Sequence, residues 1–444
     1  MPVFRVKGVG GRKRPLFKMQ TGPAARAWPA TLGLLALATA QVAVYESLAR
    51  LPDLRNQVPE AVALFLVAGT LFLVGVYWVE KFSPGLTGLA IILGTAVLLR
   101  LLVLPVRPAL SEDVYRYQWE GRVQRARLNP YTVFPAMPGL AWLQDPHHPL
   151  EAGKTTPTLY PPLSELAYSW VETVPGYKQI FTALDLASLI LLLLLLSVLK
   201  QPPARVLIYA WNPTVIASFA MCGHHDSLAI ATLLAAHLFI IGHRPALSIV
   251  SLSLSFLSKY FSLLLLPVFL KRTRWPYLAI FGSLVLLGYL PFVGAGWNLF
   301  KGLSDYAVGW ESNDSLFRLI RLAGNSKGQA ELIAVTLTAG ALVYALRTRM
   351  EPLRASLFLT ATLLLLSPDA FPWYFSWSIP FLCFYPNAPW LLMSVTSVLG
   401  YSPVVAYAGG QAYRDSPFML ALEYVPVLAW LGVQAAREIS ARKN

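Results

Sequence analysis

Long apolar runs separated by short polar breaks dominate the chain. The runs at 28–49, 60–79 and 86–105 are each close to the roughly 20 residues a helix needs to cross a bilayer. Others lie at 179–199, 205–220, 227–241, 275–293, 330–346, 354–368, 372–386, 389–407 and 418–436. The run 245–270 is too long for one upright span and carries Lys259 inside it, which predicts two half-spans or a re-entrant pair with Lys259 at the tip. Counting that pair as two gives 14 crossings. The expected fold is an all-α polytopic membrane protein of about 12–14 transmembrane helices.

The breaks divide the chain into a basic tail (1–27), N-terminal membrane helices (28–105), a large loop (106–178), a membrane core (179–293), a second loop (294–329) and C-terminal membrane helices (330–444). The large loop is the most polar part. Its segment Leu110–Pro135 opens with Glu112 and Asp113 and continues as a helical pattern with Tyr115, Trp119 and Val123 on one side. Arg116, Arg122, Arg125 and Arg127 supply cationic edges, so the segment reads as a helix lying in the membrane interface. Asn129-Pro130 stops it, since a residue before proline is pushed out of the helical region. The proline-rich run Pro157–Pro162 follows in the same loop.

Composition agrees with the pattern. Of 444 residues 56% are hydrophobic and 13% charged, against about 25% charged in soluble domains. A formal charge of +14 would suggest nucleic acid in a soluble protein. Here the cations gather between spans, as the positive-inside rule requires, so the expected partner is the bilayer and not nucleic acid. Basic residues at both ends (Arg5, Lys7, Arg12, Lys13, Arg14 and Lys18; Arg437, Arg442 and Lys443) place both termini in the cytoplasm of an inner (plasma) membrane protein, with no cleavable leader. Span parity then puts Glu112-Asp113, Tyr160-Pro-Pro162, His224-His225-Asp226, Lys259, Asn313-Asp314 and Asp369–Tyr374 on the extracytoplasmic face. Two cysteines, Cys222 and Cys383, make no disulfide framework and no metal motif.

Each cluster has a plain and a chemical reading. Glu112 and Asp113 can cap a helix, but two adjacent acids at a membrane surface also suit general-base chemistry. Arg116 and Arg122 can meet lipid head groups or hold a substrate phosphate. Asn129, Tyr131 and Tyr160 lie in turn motifs that can line a substrate passage, beside Tyr115 and Trp119. His224, His225 and Asp226 are candidate substrate contacts, and with a carboxylate from the first loop they could chelate a divalent cation. Nothing in their spacing demands a metal. Trp373 and Tyr374 fit an aromatic belt or sugar stacking. Lys259 needs a counter-ion within the membrane, either a phosphate or a carboxylate such as Asp226.

The block Ser111-Glu-Asp-Val-Tyr-Arg-Tyr-Gln-Trp-Glu-Gly-Arg-Val-Gln, with Leu128-Asn-Pro-Tyr131 and Pro157-Thr-Leu-Tyr-Pro-Pro162, resembles bacterial polyprenyl-phosphate-sugar-dependent glycosyltransferases of the GT-C superfamily. It is most like their mannosyltransferase-like branch related to glycosyltransferase family 87. Trp211-Asn-Pro213, Gly223-His-His-Asp226 and Pro372-Trp-Tyr374 resemble that branch too, and Glu120 stands where the pattern often has aspartate. The resemblance implies a GT-C-type bundle and an inverting glycosyltransferase. It implies a polyprenyl-phosphate-linked sugar donor, a glycan or glycolipid acceptor, and an extracytoplasmic catalytic acid in the first large loop. Asp113, with Glu112 beside it, is then the base, and Lys259, Arg116 and Arg122 are the donor-phosphate cations. A transporter or flippase of lipid-linked saccharides would share the spans and the buried charge. Against it, the chain has no internal repeat and its polar clusters crowd one face.

Overall fold

The computed structural model describes residues 27–443 except 149 and 151, so the tail at 1–26, including the cations from Arg5 to Lys18, lies outside the described residues. Helices account for the architecture, and the described residues hold no strand beyond two isolated bridges, Asp145 with His148 and Ser312 with Asp369. Eight helices among them are long and apolar enough to cross a membrane, or nine if Pro213–Met221 and Asp226–Ile241, bent by 120°, count as one span. The chain is an all-α, multi-pass membrane protein. The expected 14 crossings exceed this count because several apolar runs are broken or short. The run 205–220 divides around Asn212, whose side chain accepts the backbone N–H groups of Thr214 and Val215 and so restarts a helix at Pro213. Pro352–Leu366 has 15 residues, and the run after it becomes a 3-10 turn over Pro372–Trp377 and a short helix over Ile379–Leu382.

The first three helices, α1 (Ala27–Ala49), α2 (Val58–Phe82) and α3 (Leu86–Val103), pack together as one corner of the bundle. The loop after α3 forms α4 (Asp113–Arg125) and α5 (Pro162–Ser169), and α6 (Val174–Val198) re-enters the bundle. A fully buried ion pair, Arg100 Nε to Asp185 Oδ2 at 2.5 Å, ties α3 to α6, and Arg100 also donates to the Ala210 carbonyl at 2.8 Å. A charge at this depth has to be paired, so the two helices are held in register.

α4 is covered by protein on more than the one face that its pattern suggests. It buries Val114, Tyr117, Gln118, Trp119, Glu120, Gly121 and Val123, which point all round its axis. On one side Val114 and Tyr117 pack with Tyr160, Tyr168, Tyr177 and Phe181; on the other, Trp119 and Val123 pack with Val133, Leu143 and Leu150. Gly121 permits the close approach to α5, since a Cβ there would sit 2.4 Å from the Tyr168 carbonyl oxygen. The helix is a buried rod inside its own loop, and its first residue is therefore rigidly placed.

Two chain breaks fall at residues singled out from the sequence, one before Asp226 and one at Lys259. The bend between Met221 and Asp226 turns at Gly223, which has φ +74° and where a Cβ would press on the Lys178 side chain at 3.0 Å. The helix Pro245–Ser258 stops at Lys259, which is extended (φ −155°, ψ 130°) before the chain resumes as a 3-10 turn and the helix Leu266–Thr273. The run 245–270 is thus divided at Lys259, the position expected of the tip.

Candidate functional site

The two acids at the start of α4 diverge. Glu112 occupies the cap position and is paired with Arg55 from the α1–α2 connection, and its other carboxylate oxygen accepts from the Tyr407 hydroxyl at 3.4 Å. Partial burial pushes its carboxyl above the usual range, opposed by the Arg55 charge. Asp113 turns the other way. Its Oδ2 lies 3.4 Å from Nδ1 of His224 and 3.5 Å from the Tyr117 hydroxyl. His224 is fully buried, whereas 31% of the Asp113 side chain is exposed, so a substrate hydroxyl can reach the carboxylate.

Lys259 sits in an aromatic enclosure. Its Nζ lies 5.6, 5.1 and 5.9 Å from the ring centres of Tyr160, Tyr374 and Trp377, and 3.4 Å from Asp226 Oδ1. That oxygen also accepts from Trp377 Nε1 at 2.7 Å. Rings at this range attract a cation through their negative faces, which helps to hold an ammonium away from bulk water. Burial pushes the Tyr160 phenol well above its ordinary range, so it stays a neutral hydroxyl. His224 stacks on Trp373 with 4.1 Å between ring centres, and the hydroxyls of Tyr374 and Tyr306 lie 3.1 Å apart. Asp113, Tyr160, His224, Asp226, Lys259, Trp373 and Tyr374 are thus linked by contacts, although the sequence scatters them over 262 positions (113 to 374).

Buried polar groups are normally hydrogen-bonded. His224 Nδ1 and Nε2, Trp373 Nε1 and Asp226 Oδ2 have no hydrogen-bond partner among the described residues. They are buried polar atoms left unpaired within the cluster.

Other residues named from the sequence stand outside this cluster. Arg116 is held by Glu120 at 2.7 Å and by the carbonyls of Gly153 and Thr156, both at 2.9 Å, and Arg122 donates to the Leu143 carbonyl. Both guanidiniums staple the loop around α4, and the structure brings neither to Lys259. Tyr115 stacks on His148, and Trp119 is buried on the far side of α4. Asn129 donates to the Phe292 carbonyl and Tyr131 to the Tyr160 carbonyl, which fixes the loop carrying Tyr160. His225 turns away from His224 to the Tyr168 hydroxyl at 2.8 Å, within a box of Tyr117, Tyr160 and Phe181. As for the candidate divalent cation, no three His, Cys, Asp or Glu side chains come together as a metal site among the described residues. His224, His225 and Asp226 each point to a different partner.

Arg55, Tyr168, Tyr306 and Tyr407 were not identifiable from the sequence. Each reaches the site across more than 50 residues of chain and lies in no motif; Tyr168 alone shares a loop with Tyr160.

The arrangement offers a reachable carboxylate, a caged ammonium and flat aromatic walls between helices. A family model described as alpha-(1->6)-mannopyranosyltransferase, N-terminal domain, matches residues 24–272, and one described as MptB C-terminal domain matches residues 301–435. No curated protein matches the chain.

Proposed function

The chain belongs to the alpha-(1->6)-mannopyranosyltransferase family and is a glycosyltransferase, and we propose that it moves mannose from a polyprenyl-phosphate donor to a hydroxyl of a glycan or glycolipid acceptor with inversion at the anomeric carbon. The observation that carries this reading is the joining of Asp113 and Lys259 through one wall of aromatic and histidine side chains.

Asp113 is the base. The acceptor oxygen attacks the anomeric carbon, its proton passes to Asp113, and the bond from that carbon to the phosphate oxygen breaks with its electron pair on the phosphate. The transition state is oxocarbenium-like, as in glycoside hydrolysis. Inversion that yields an alpha product requires a beta-linked donor. Lys259 faces the charge that grows on the leaving phosphate, where a positioned cation is most effective. The leaving group is an anion already, so no general acid is needed. Glu112, taken by Arg55 and Tyr407, is the weaker candidate for the base.

The active site opens on the extracytoplasmic face of the inner membrane, and both termini are cytoplasmic. Support comes from the basic stretches at 271–274 and 347–349, which meet each other: Arg272 donates to the Arg349 carbonyl at 3.2 Å. Such a basic patch marks the cytoplasmic end. Incubating purified protein with radiolabelled polyprenyl-phosphate mannose and a mannose oligosaccharide tests the reading. Label should enter an alpha-(1->6) linkage; use of a nucleotide-linked mannose in place of the lipid donor would contradict it.

A further inference from the structure

A cavity of about 980 Å³ lies on the Glu112 side of the start of α4. Four stretches of chain contribute to its wall: 49–55 between α1 and α2, 106–115 after α3, His147, His148 and Leu150 in the large loop, and 407–411 near the C-terminal helix. We propose that this cavity is the acceptor subsite, which binds an uncharged oligosaccharide and directs its terminal hydroxyl past the start of α4 to Asp113. The proposal rests on the assignment of Asp113 as the base.

Position is the first reason. Ser111 and Glu112 line the cavity, and the Ser111 hydroxyl accepts the backbone N–H of Asp113 at 3.3 Å. The cavity wall and the base are therefore neighbours in a single turn of chain, with the carboxylates of Glu112 and Asp113 directed to its two sides.

Chemistry is the second. The wall includes the Tyr115–His148 stack, with ring centres 4.5 Å apart and planes 9° from parallel, and the Tyr407 ring. Beside them stand the planar polar groups of Glu112, Arg55 and Gln411. Flat rings suit the apolar faces of a sugar, and directional polar groups suit its hydroxyls. The volume lies at the upper end of the roughly 300–1,000 Å³ of ligand pockets, which is room for more than a single small group.

Charge is the third, and it separates acceptor from donor. Arg55 and Arg107 are balanced by Asp53 and Glu112. His148 adds little positive charge, because burial and the Arg107 guanidinium both lower its pKa. A cavity whose two arginines are matched by two carboxylates does not select a phosphate. The donor phosphate has Lys259 instead, and the two substrates approach Asp113 from different sides.

The test uses the full-length protein in nanodiscs, with alpha-(1->6)-mannotriose and polyprenyl phosphate as separate probes. Ala109→Trp fills the cavity and Gln411→Ala removes a planar polar group. Ala109→Trp should weaken mannotriose binding, and raise the acceptor KM, by at least about tenfold, with Gln411→Ala acting in the same direction and the donor KM within about twofold of wild type. Polyprenyl phosphate should not displace mannotriose. Unchanged acceptor binding in a normally melting Ala109→Trp protein would overturn the assignment, as would displacement by polyprenyl phosphate or an absence of mannotriose binding to wild type. Should Ala109→Trp fail to fold, unchanged binding and acceptor KM in Gln411→Ala would overturn it equally. Loss of mannotriose binding in the variants, with no transfer from the lipid donor by wild type, would uphold the subsite and overturn the donor assignment alone.

Discussion

The Lys259 ammonium lies 3.4 Å from the Asp226 carboxylate, but Asp226 gives the same oxygen to Trp377 Nε1 at 2.7 Å. The pair is incomplete from both sides: Asp226 Oδ2 has no hydrogen-bond partner among the described residues, and the other neighbours of the ammonium are the faces of Tyr160, Tyr374 and Trp377. Such a lysine retains capacity for a second anion. A hydrogen bond to a charged group contributes about 1.5–3 kcal/mol, or roughly 10- to 150-fold in affinity. Lys259→Met should therefore lower kcat/KM for the lipid donor by about that factor. Lys259→Arg should recover part of it, since the charge remains but its shape changes. Donor kinetics equal to wild type in a folded methionine variant would leave Lys259 as an ion-pair partner only.

His224 meets Asp113 at 3.4 Å and Trp373 face to face at 4.1 Å. His224→Phe keeps a ring on Trp373 and removes the nitrogen beside the carboxylate. Its kcat should fall by about tenfold or more, the effect of losing a polar contact to the carboxylate worth about 1.4 kcal/mol, while the donor KM stays within about twofold. Steady-state kinetics against both substrates separate the two effects. A change confined to the donor KM would mean that His224 binds sugar and does not orient Asp113.

Glu120 and Glu165 are buried together beneath α4. Arg116 holds Glu120, and Thr158 and Gln124 donate to Glu165 at 2.7 and 2.8 Å. Burial first, and then the neighbouring Glu120 charge, push Glu165 well above the usual carboxylate range, so its folded state keeps a proton that the unfolded chain releases near pH ~4.3. Its stabilising contribution is complete below that pH and is lost as pH rises towards the folded value. Glu165→Gln carries no such proton. Its melting temperature relative to wild type should rise from about pH 4 to about pH 8; a difference independent of pH would show that Glu165 is ionised in the fold.

Much of this site was legible in the sequence, for reasons that particular residues make clear. Lys259 interrupts an apolar run, and a charge inside a membrane segment signals itself. The start of α4 at Asp113 follows from acids ahead of a helical pattern, and the bend at Gly223-His-His-Asp226 from polarity between two spans. What stayed hidden depends on distance along the chain. Arg116 and Arg122 look the same in sequence whether they face lipid, phosphate or a loop carbonyl, and the carbonyls of Gly153, Thr156 and Leu143 decide. α4 reads as amphipathic, yet it buries residues on two opposite sides because Tyr168 and Leu143 come from later in the loop to cover it. Fewer helices among the described residues pass as long and apolar enough to cross than the 14 crossings expected, because hydropathy does not register a helix that restarts at Asn212 or stops at Leu366.

Orientation has its own test in a background lacking Cys222 and Cys383, both of which are buried. Trp170 is 87% exposed in the large loop, and Thr348 is exposed at the basic patch. In intact cells Trp170→Cys should react with a membrane-impermeant maleimide and Thr348→Cys should react only after lysis. The reverse pattern would place the active site on the cytoplasmic face.

The central claim is that Asp113 takes the acceptor proton, and one measurement addresses it directly: single-turnover transfer from polyprenyl-phosphate mannose by the Asp113→Asn protein. Asparagine keeps nearly the same volume and still accepts a hydrogen bond from Tyr117, but it cannot accept a proton. The predicted result is a transfer rate lower by at least about 10²-fold, the smaller end for a lost base, with donor affinity and melting temperature near wild type. Glu112→Gln, which leaves Asp113 and His224 in place, should be much milder. Transfer at the wild-type rate by Asp113→Asn would contradict the account, and a dead Glu112→Gln beside an active Asp113→Asn would move the base to the other side of the helix start.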